Sequence, residues 1–148
     1  MTGHAEPGVG YDLLVPARTV VGEARGEDYE GKLAVACVIR NRAENPRWWG
    51  GPDWDSVCLK PWQFSCFNDP KYGGQPFLWN LQLDDIAEQY PDCLSAVEEV
   101  KKGAIDLTGN ATHYVVTSWL HDPDLRPAWA NELVPTVVIG HHSFFSAL

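Results

Sequence analysis

Seven consecutive residues, Leu33-Ala34-Val35-Ala36-Cys37-Val38-Ile39, carry no charged or hydrogen-bonding polar side chain, and no other feature of this chain constrains its fold as strongly. Preceded by Glu27 or Asp28 as a capping residue, the run reads as a helix apolar on every side, which belongs at the centre of its domain. Ala34, Ala36 and Cys37 are small enough for a neighbouring helix to approach closely, and Arg40, Asn41 and Arg42 are expected to return the chain to water. The chain has 148 residues, enough to bury one such core without a metal or cross-links. A single domain over 1–148 is therefore expected, with its core at roughly 13–145.

Around that helix the pattern changes four times. A helix is expected to begin between Leu13 and Val15, because Pro16 is tolerated in a first turn, and to close at Gly26. Leu13, Ala17, Val20 and Ala24 give it an apolar stripe with Glu23 on its border, near the C-terminal end. From Asn45 to Trp79 the sequence is rich in Gly, Pro, Trp and Asp without a period, and reads as a long irregular excursion packed through its aromatic residues. Leu83 to Tyr90 and Cys93 to Gly103 read as one or two helices covering the central one. His113 to Thr117 and Thr136 to Ile139 are β-branched and short, and predict a small antiparallel element. The class is α+β: a mainly helical lobe, a small antiparallel β element and long irregular loops.

Composition removes several functions. The formal net charge of −9 disfavours nucleic acid and anionic membrane surfaces as partners. No apolar run approaches the ~20 residues of a membrane span, and Met1 to Asp12 lack the basic start and apolar stretch of an export signal. Neither an anchor nor a signal peptide is expected. Cys37, Cys58, Cys66 and Cys93 are too widely spaced for a CxxC motif; Cys37 reads as core, and the others allow at most one or two disulfides. Seven tryptophans, most of them in loop-like segments, suit carbohydrate recognition.

The segment Val21-Gly22-Glu23-Ala24-Arg25-Gly26-Glu27 sets a carboxylate one turn before a helix end, against an apolar wall. Desolvation, together with a like charge from Glu27 four residues on, is expected to raise the pKa of Glu23, and a raised pKa is what a general acid needs. Beside tryptophan-rich loops such a Glu suggests a glycosidase. Spacing alone favours the plainer reading, in which Glu23 pairs with Arg18 or Arg25 on the surface.

The string Gly22-Glu23-Ala24-Arg25-Gly26-Glu27, then Gly31-Lys32-Leu33-Ala34-Val35-Ala36 and Asn41-Arg42, resembles the signature of the SleB-type cell wall hydrolases, which include spore cortex-lytic enzymes and small phage lysins. Gln63-Phe64-Ser65-Cys66, His113-Tyr114 and Gly140-His141-His142-Ser143-Phe144 follow in the same order, so the likeness spans roughly Leu14 to Phe144. It implies a lysozyme-like fold, the glycan strands of peptidoglycan as substrate, and Glu23 as catalytic acid. In the cleft it implies Gln63, Phe64 and Ser65, with the Phe64 ring on a sugar face, and His113 and Tyr114 at the start of a strand. Trp129 is a candidate stacking platform, and of His141 and His142 only one can face the cleft, with Gly140 and Phe144 favouring His142. Val21 departs from the Tyr common in the family, and no separate wall-binding domain is evident. A phage-type lysin, made in the cytoplasm and reaching the wall through a separate membrane-permeabilising partner, is expected.

Two other classes compete. A zinc amidase or peptidase would draw on His113, His121, His141 and His142, but no HExxH or other tight ligand pair exists, so no metal or cofactor is expected. A non-catalytic wall-binding module would have no use for Glu23. Within the glycosidase reading, a second carboxylate is found only by elimination among Glu27, Asp28, Glu30, Asp69 and Asp122. One acid suffices for a lytic transglycosylase, which leaves 1,6-anhydro-N-acetylmuramic ends, whereas a lysozyme-type muramidase hydrolysing the same bond needs two.

Overall fold

In the computed structural model, which describes residues 11–148, the apolar run lies inside α2 (Tyr29–Glu44), and every residue from Ala34 to Ile39 is fully buried. The segment 1–10, most of the stretch expected to lack an export signal, lies outside the described residues. Burial of Val35, Val38 and Ile39 contributes roughly 1.5–3 kcal/mol apiece. Helices α1 (Tyr11–Ala24) and α5 (Pro91–Lys101) pack against α2, with α3 (Trp54–Leu59) and α4 (Leu83–Gln89) beside them. Gly103 takes the left-handed conformation, φ +102°, that stops α5.

Two expectations about these helices are corrected. α1 starts at Tyr11, so Pro16 falls in its second turn and leaves the Asp12 carbonyl without a helical donor; Asp12 is exposed, and water can serve it. The helix ends at Ala24, ahead of Gly26. Nor do Asn41 and Arg42 return α2 to water: both are buried, because the chain supplies acceptors for them there. Asn41 donates to Asp106 and to the Ala111 carbonyl, each at 2.9 Å, and Arg42 Nε donates to the Thr112 carbonyl at 2.7 Å.

The excursion after Asn45 contains α3, capped by Asp53 accepting from the Ser56 N–H, and three 3₁₀ turns at Ser65–Phe67, Pro70–Tyr72 and Pro76–Asn80. Trp49, Phe64, Cys66 and Leu78 anchor it in the core. The Trp49 indole N–H donates to the carbonyls of Arg42 and Asn45, so this tryptophan is structural.

A three-stranded antiparallel sheet, ordered β1-β3-β2, joins β1 (His113–Val116), β2 (Val134–Ile139) and β3 (His142–Ser146). Phe144 of the central strand packs toward α2 with Ala34, Val38 and Ala111, while Phe145 meets Val115 and Ala130 on the other face. Pro135, which has no N–H to donate, sits at a register shift on the edge strand β2. All four cysteines are buried thiols, none of them paired. Among the described residues no helix is long and apolar enough to cross a membrane.

Candidate active site

Glu23 stands in the last turn of α1, where the helical lobe meets the sheet, and two donors fix its carboxylate. The Tyr114 hydroxyl of β1 donates to Oε1 at 2.5 Å, and the Cys66 N–H of the Ser65–Phe67 turn donates to Oε2 at 3.2 Å. Gly22 allows that approach, since a Cβ built there would stand 2.5 Å from the Cys66 Cβ. Gln75 locks the same junction: its amide donates to the Gly22 carbonyl at 2.9 Å and its oxygen accepts from Arg25. Neither Arg18 nor Arg25 reaches Glu23. Arg18 donates to the carbonyls of Leu81 and Trp79, and Arg25 to Val21 and Gln75.

Cavities open on both sides of Glu23. One, of about 380 Å³, is lined by Glu23, Arg42, Gln63, Ser65, His113, Tyr114 and the indoles of Trp48, Trp62 and Trp129. The other, of about 320 Å³, is lined by Glu23, Ser65, Gln75, Tyr114, Trp119 and His142, among others. Together they form a cleft with Glu23, Ser65 and Tyr114 at its middle. Of the expected site residues, Gln63, Ser65, His113, Tyr114, Trp129 and His142 are thus brought to one place with Glu23. Arg42, Trp48, Trp62, Gln75 and Trp119 are additional lining residues.

Phe64 is not a sugar platform. It is 2% exposed, and its ring lies under the Arg42 guanidinium, 5.2 Å from the ring centre. Burial pushes Arg42 down to about 10, which leaves it a cation at neutral pH in the cleft wall. Burial, followed by the adjacent Glu23, holds the Tyr114 hydroxyl well above its ordinary range, so it acts as a donor and not as a base.

Glu27 is not the bare like charge expected on the face of Glu23. The helix has ended at Ala24, and the turn through Arg25 and Gly26 carries Glu27 toward the β2–β3 hairpin. There Oε1 accepts from the His141 N–H at 2.8 Å and Oε2 meets His141 Nδ1 at 2.6 Å. Burial alone would raise this carboxyl, but the hydrogen bonds from His141 and the neighbouring imidazoles outweigh it and hold Glu27 below the usual carboxylate range. Gly140, at φ +58°, leaves room for it; a Cβ there would stand 2.5 Å from Glu27 Oε1. His142 is buried, edge-on to Tyr114 at 5.0 Å, with Nδ1 3.5 Å from Glu27 and no hydrogen bond. Burial lowers its pKa against the pull of Glu27 and Glu23. His141 stays exposed, so His142 is the inward member of the pair.

His113 is enclosed by Trp48, Trp49 and Trp129, and burial, with Arg42 nearby, pushes it down from 6.5 to about 4. Between those values the unfolded chain binds a proton that folded His113 refuses. The stability it contributes is therefore complete above about pH 6.5 and is lost as pH falls toward 4, by roughly 3 kcal/mol. Urea unfolding at pH 7 and pH 4.5 is expected to show a smaller acid loss in His113→Gln than in the parent protein. Equal losses would remove His113 from the acid response.

A helical lobe facing a small antiparallel sheet, with one doubly held glutamate at their junction in an aromatic cleft, is a lysozyme-like fold. The chain belongs to the cell wall hydrolase family, whose profile matches residues 26–145. That match begins just past Glu23. Spore cortex-lytic enzymes of Oceanobacillus iheyensis and Halalkalibacterium halodurans are each 36% identical over 104 residues, 70% of this chain. The chain spans only 32% and 26% of their lengths. The catalytic domain of the germination-specific lytic transglycosylase SleB from Bacillus anthracis superposes with a TM-score of 0.68 at 26% identity, covering 99% of both chains. That of Bacillus cereus SleB gives 0.69 at 26% identity, covering 99% of this chain and 98% of its own. Among the described residues no group of three or more His, Cys, Asp and Glu gathers as a metal site.

Proposed function

We propose that the chain is a peptidoglycan lytic transglycosylase that cleaves the bond from N-acetylmuramic acid to N-acetylglucosamine with Glu23 as its one acid and base. The observation that carries this reading is that, among the described residues, Glu23 is the sole acidic residue lining either half of the cleft. Of the five carboxylates that a two-acid hydrolase would draw on, Asp28 and Glu30 line neither half of the cleft, and the other three are engaged elsewhere. Glu27 pairs with His141, Asp69 accepts from the Lys71 N–H at 3.1 Å, and Asp122 from the Asp124 N–H at 2.8 Å.

With one acid, the substrate supplies the rest. Protonated Glu23 gives its proton to the glycosidic oxygen as the bond to C1 breaks, and the 2-acetamido oxygen of the muramic sugar stabilises the positive charge at C1. The carboxylate then accepts the proton of the C6 hydroxyl as that oxygen bonds to C1, closing the 1,6-anhydro ring. Glu23 ends protonated, and no water is consumed. Tyr114 and Cys66 keep the carboxylate aimed at one point through both transfers. Gln63, Ser65, His113, Trp129 and His142 are proposed to line the bound glycan. Mass spectrometry of digested wall tests this: anhydromuramic ends are expected, while reducing muramic ends carrying oxygen from labelled water would establish a lysozyme-type muramidase.

Tyr114→Phe keeps the ring between Phe144 and His142 and removes one donor to Glu23. A hydrogen bond to a charged group contributes about 1.5–3 kcal/mol, so kcat is expected to fall roughly 10–100-fold with little loss of Tm. An unchanged kcat would take Tyr114 out of the machinery. An endolysin-type setting, in which a separate membrane-permeabilising partner opens the way to the wall, belongs to the same proposal. Culture turbidity should then drop only when a pore-former is co-expressed.

A further inference from the structure

On the far side of Trp62 the loop between α3 and α4 builds a second groove of about 560 Å³, larger than either half of the cleft. Its walls are the rings of Trp62, Phe67, Tyr72 and Trp79, with Lys60 and Asn68 among the polar groups beside them. Trp62 is 67% exposed, Tyr72 52% and Trp79 48%, although Phe64, Cys66 and Leu78 already anchor this loop in the core. The exposed rings are ordered into pairs: Trp62 meets Tyr72 edge-on at 5.3 Å, and Phe67 meets Trp79 at 4.9 Å. Trp62 also takes a left-handed backbone, φ +70°, an unfavourable conformation for a bulky residue. The result is an indole that serves as a common wall, lining the cleft on one side and this groove on the other.

We propose that the groove is a glycan-binding extension of the cleft, which holds pyranose rings of the substrate strand beyond Trp62 and makes the enzyme favour long strands over short ones. The proposal rests on the reading of the cleft given above. A polymeric substrate seated at Glu23 has to leave the cleft at its ends, and Trp62 joins this groove to one of them. The apolar faces of sugar rings match exposed aromatic rings, while hydroxyl and acetamido groups match Lys60 and Asn68. Binding energy gathered there, remote from Glu23, lowers KM for long strands without entering the chemical step.

Tyr72→Ala/Trp79→Ala, which alters the groove and substitutes none of the residues that line the cleft, separates the two regions. On peptide-free glycan strands the variant is expected to raise KM about tenfold for long strands, with kcat unchanged, and to leave KM for tetrasaccharides as it was. An equal change for both lengths, or no change for either, would overturn the proposal. Tyr72→Ala alone, at a surface turn, gives the same comparison with a smaller effect should the double variant fold poorly. A second readout is independent of activity. When the hexamer of N-acetylglucosamine is titrated into Glu23→Gln, the NMR indole signals of Trp62 and Trp79 should both move. If only those of Trp48 and Trp129 respond, the groove does not hold glycan. Absence of cleavage by the parent enzyme would count against the reading of the cleft, while the indole titration would still report on the groove.

Discussion

Glu23→Gln is expected to lower wall-lytic activity about 10²–10⁴-fold while leaving the fold intact. The amide has almost the volume of the carboxyl and can satisfy both of its present partners. Its oxygen accepts from the Cys66 N–H, and its NH₂ donates to the Tyr114 oxygen, which requires only that the phenolic proton turn away. What it cannot do is deliver a proton to a leaving oxygen. Glu23→Ala would be a poorer test, since it strands the Tyr114 hydroxyl and the Cys66 N–H together and mixes loss of chemistry with loss of stability. Release of soluble muropeptides from purified sacculi, read beside a thermal melt, separates these effects. A Gln variant that melts within about 2 °C of the parent and keeps more than a tenth of its rate would end the assignment of Glu23.

Sequence patterns revealed what depends on period and missed what depends on partners distant in the chain. The run Leu33 to Ile39 located the central helix because it has no polar face to leave in water. Gly103 stopped a helix because its backbone freedom is local. Arg42 followed an apolar run and was expected to lead it into solvent, yet its acceptors, Thr112 and Gln63, lie far away in sequence. Once that cation is buried it is held by those acceptors and by the π face of the Phe64 ring beneath it. The residue expected to stack on sugar was thus taken by the core, and Trp62 and Trp48 line the cleft instead. The error over Glu27 was similar: helical spacing was carried past the point where the helix ends. One available signal was the order of the family-like motifs. Gln63 to Cys66, His113-Tyr114 and Gly140 to Phe144 do converge around Glu23, and the convergence runs through a backbone N–H and a phenol whose roles side-chain identity alone does not specify.

Gly22→Ala is expected to damage stability and catalysis together, although alanine is the better helix former by about 1 kcal/mol. The added Cβ would lie 2.5 Å from the Cys66 Cβ, 2.7 Å from Leu78 Cδ1 and 2.8 Å from Cys66 Sγ. Leu78 can swing its terminal methyl aside. The Cys66 Cβ is fixed to the backbone, so the Ser65–Phe67 turn has to retreat from α1. Overpacking of this kind costs about 1–3 kcal/mol, and in a domain of this size each kcal/mol shifts Tm by roughly 2–4 °C. The same retreat lengthens the Cys66 N–H contact to Glu23, which is 3.2 Å before any change. A charge-assisted hydrogen bond lost there is expected to lower kcat at least about tenfold, by the same arithmetic as for Tyr114. Gly26→Ala is the control: a Cβ there meets nothing within 4 Å, the backbone is not left-handed, and neither Tm nor rate should fall. Relief should come only from removing the atom in the way. Gly22→Ala/Cys66→Ala keeps the clashing Cβ and should stay impaired, whereas Gly22→Ala/Cys66→Gly should recover part of the lost rate. A Gly22→Ala enzyme that matches the Gly26→Ala control in both melt and turnover would show that close approach of the turn to α1 is not what holds Glu23 in place.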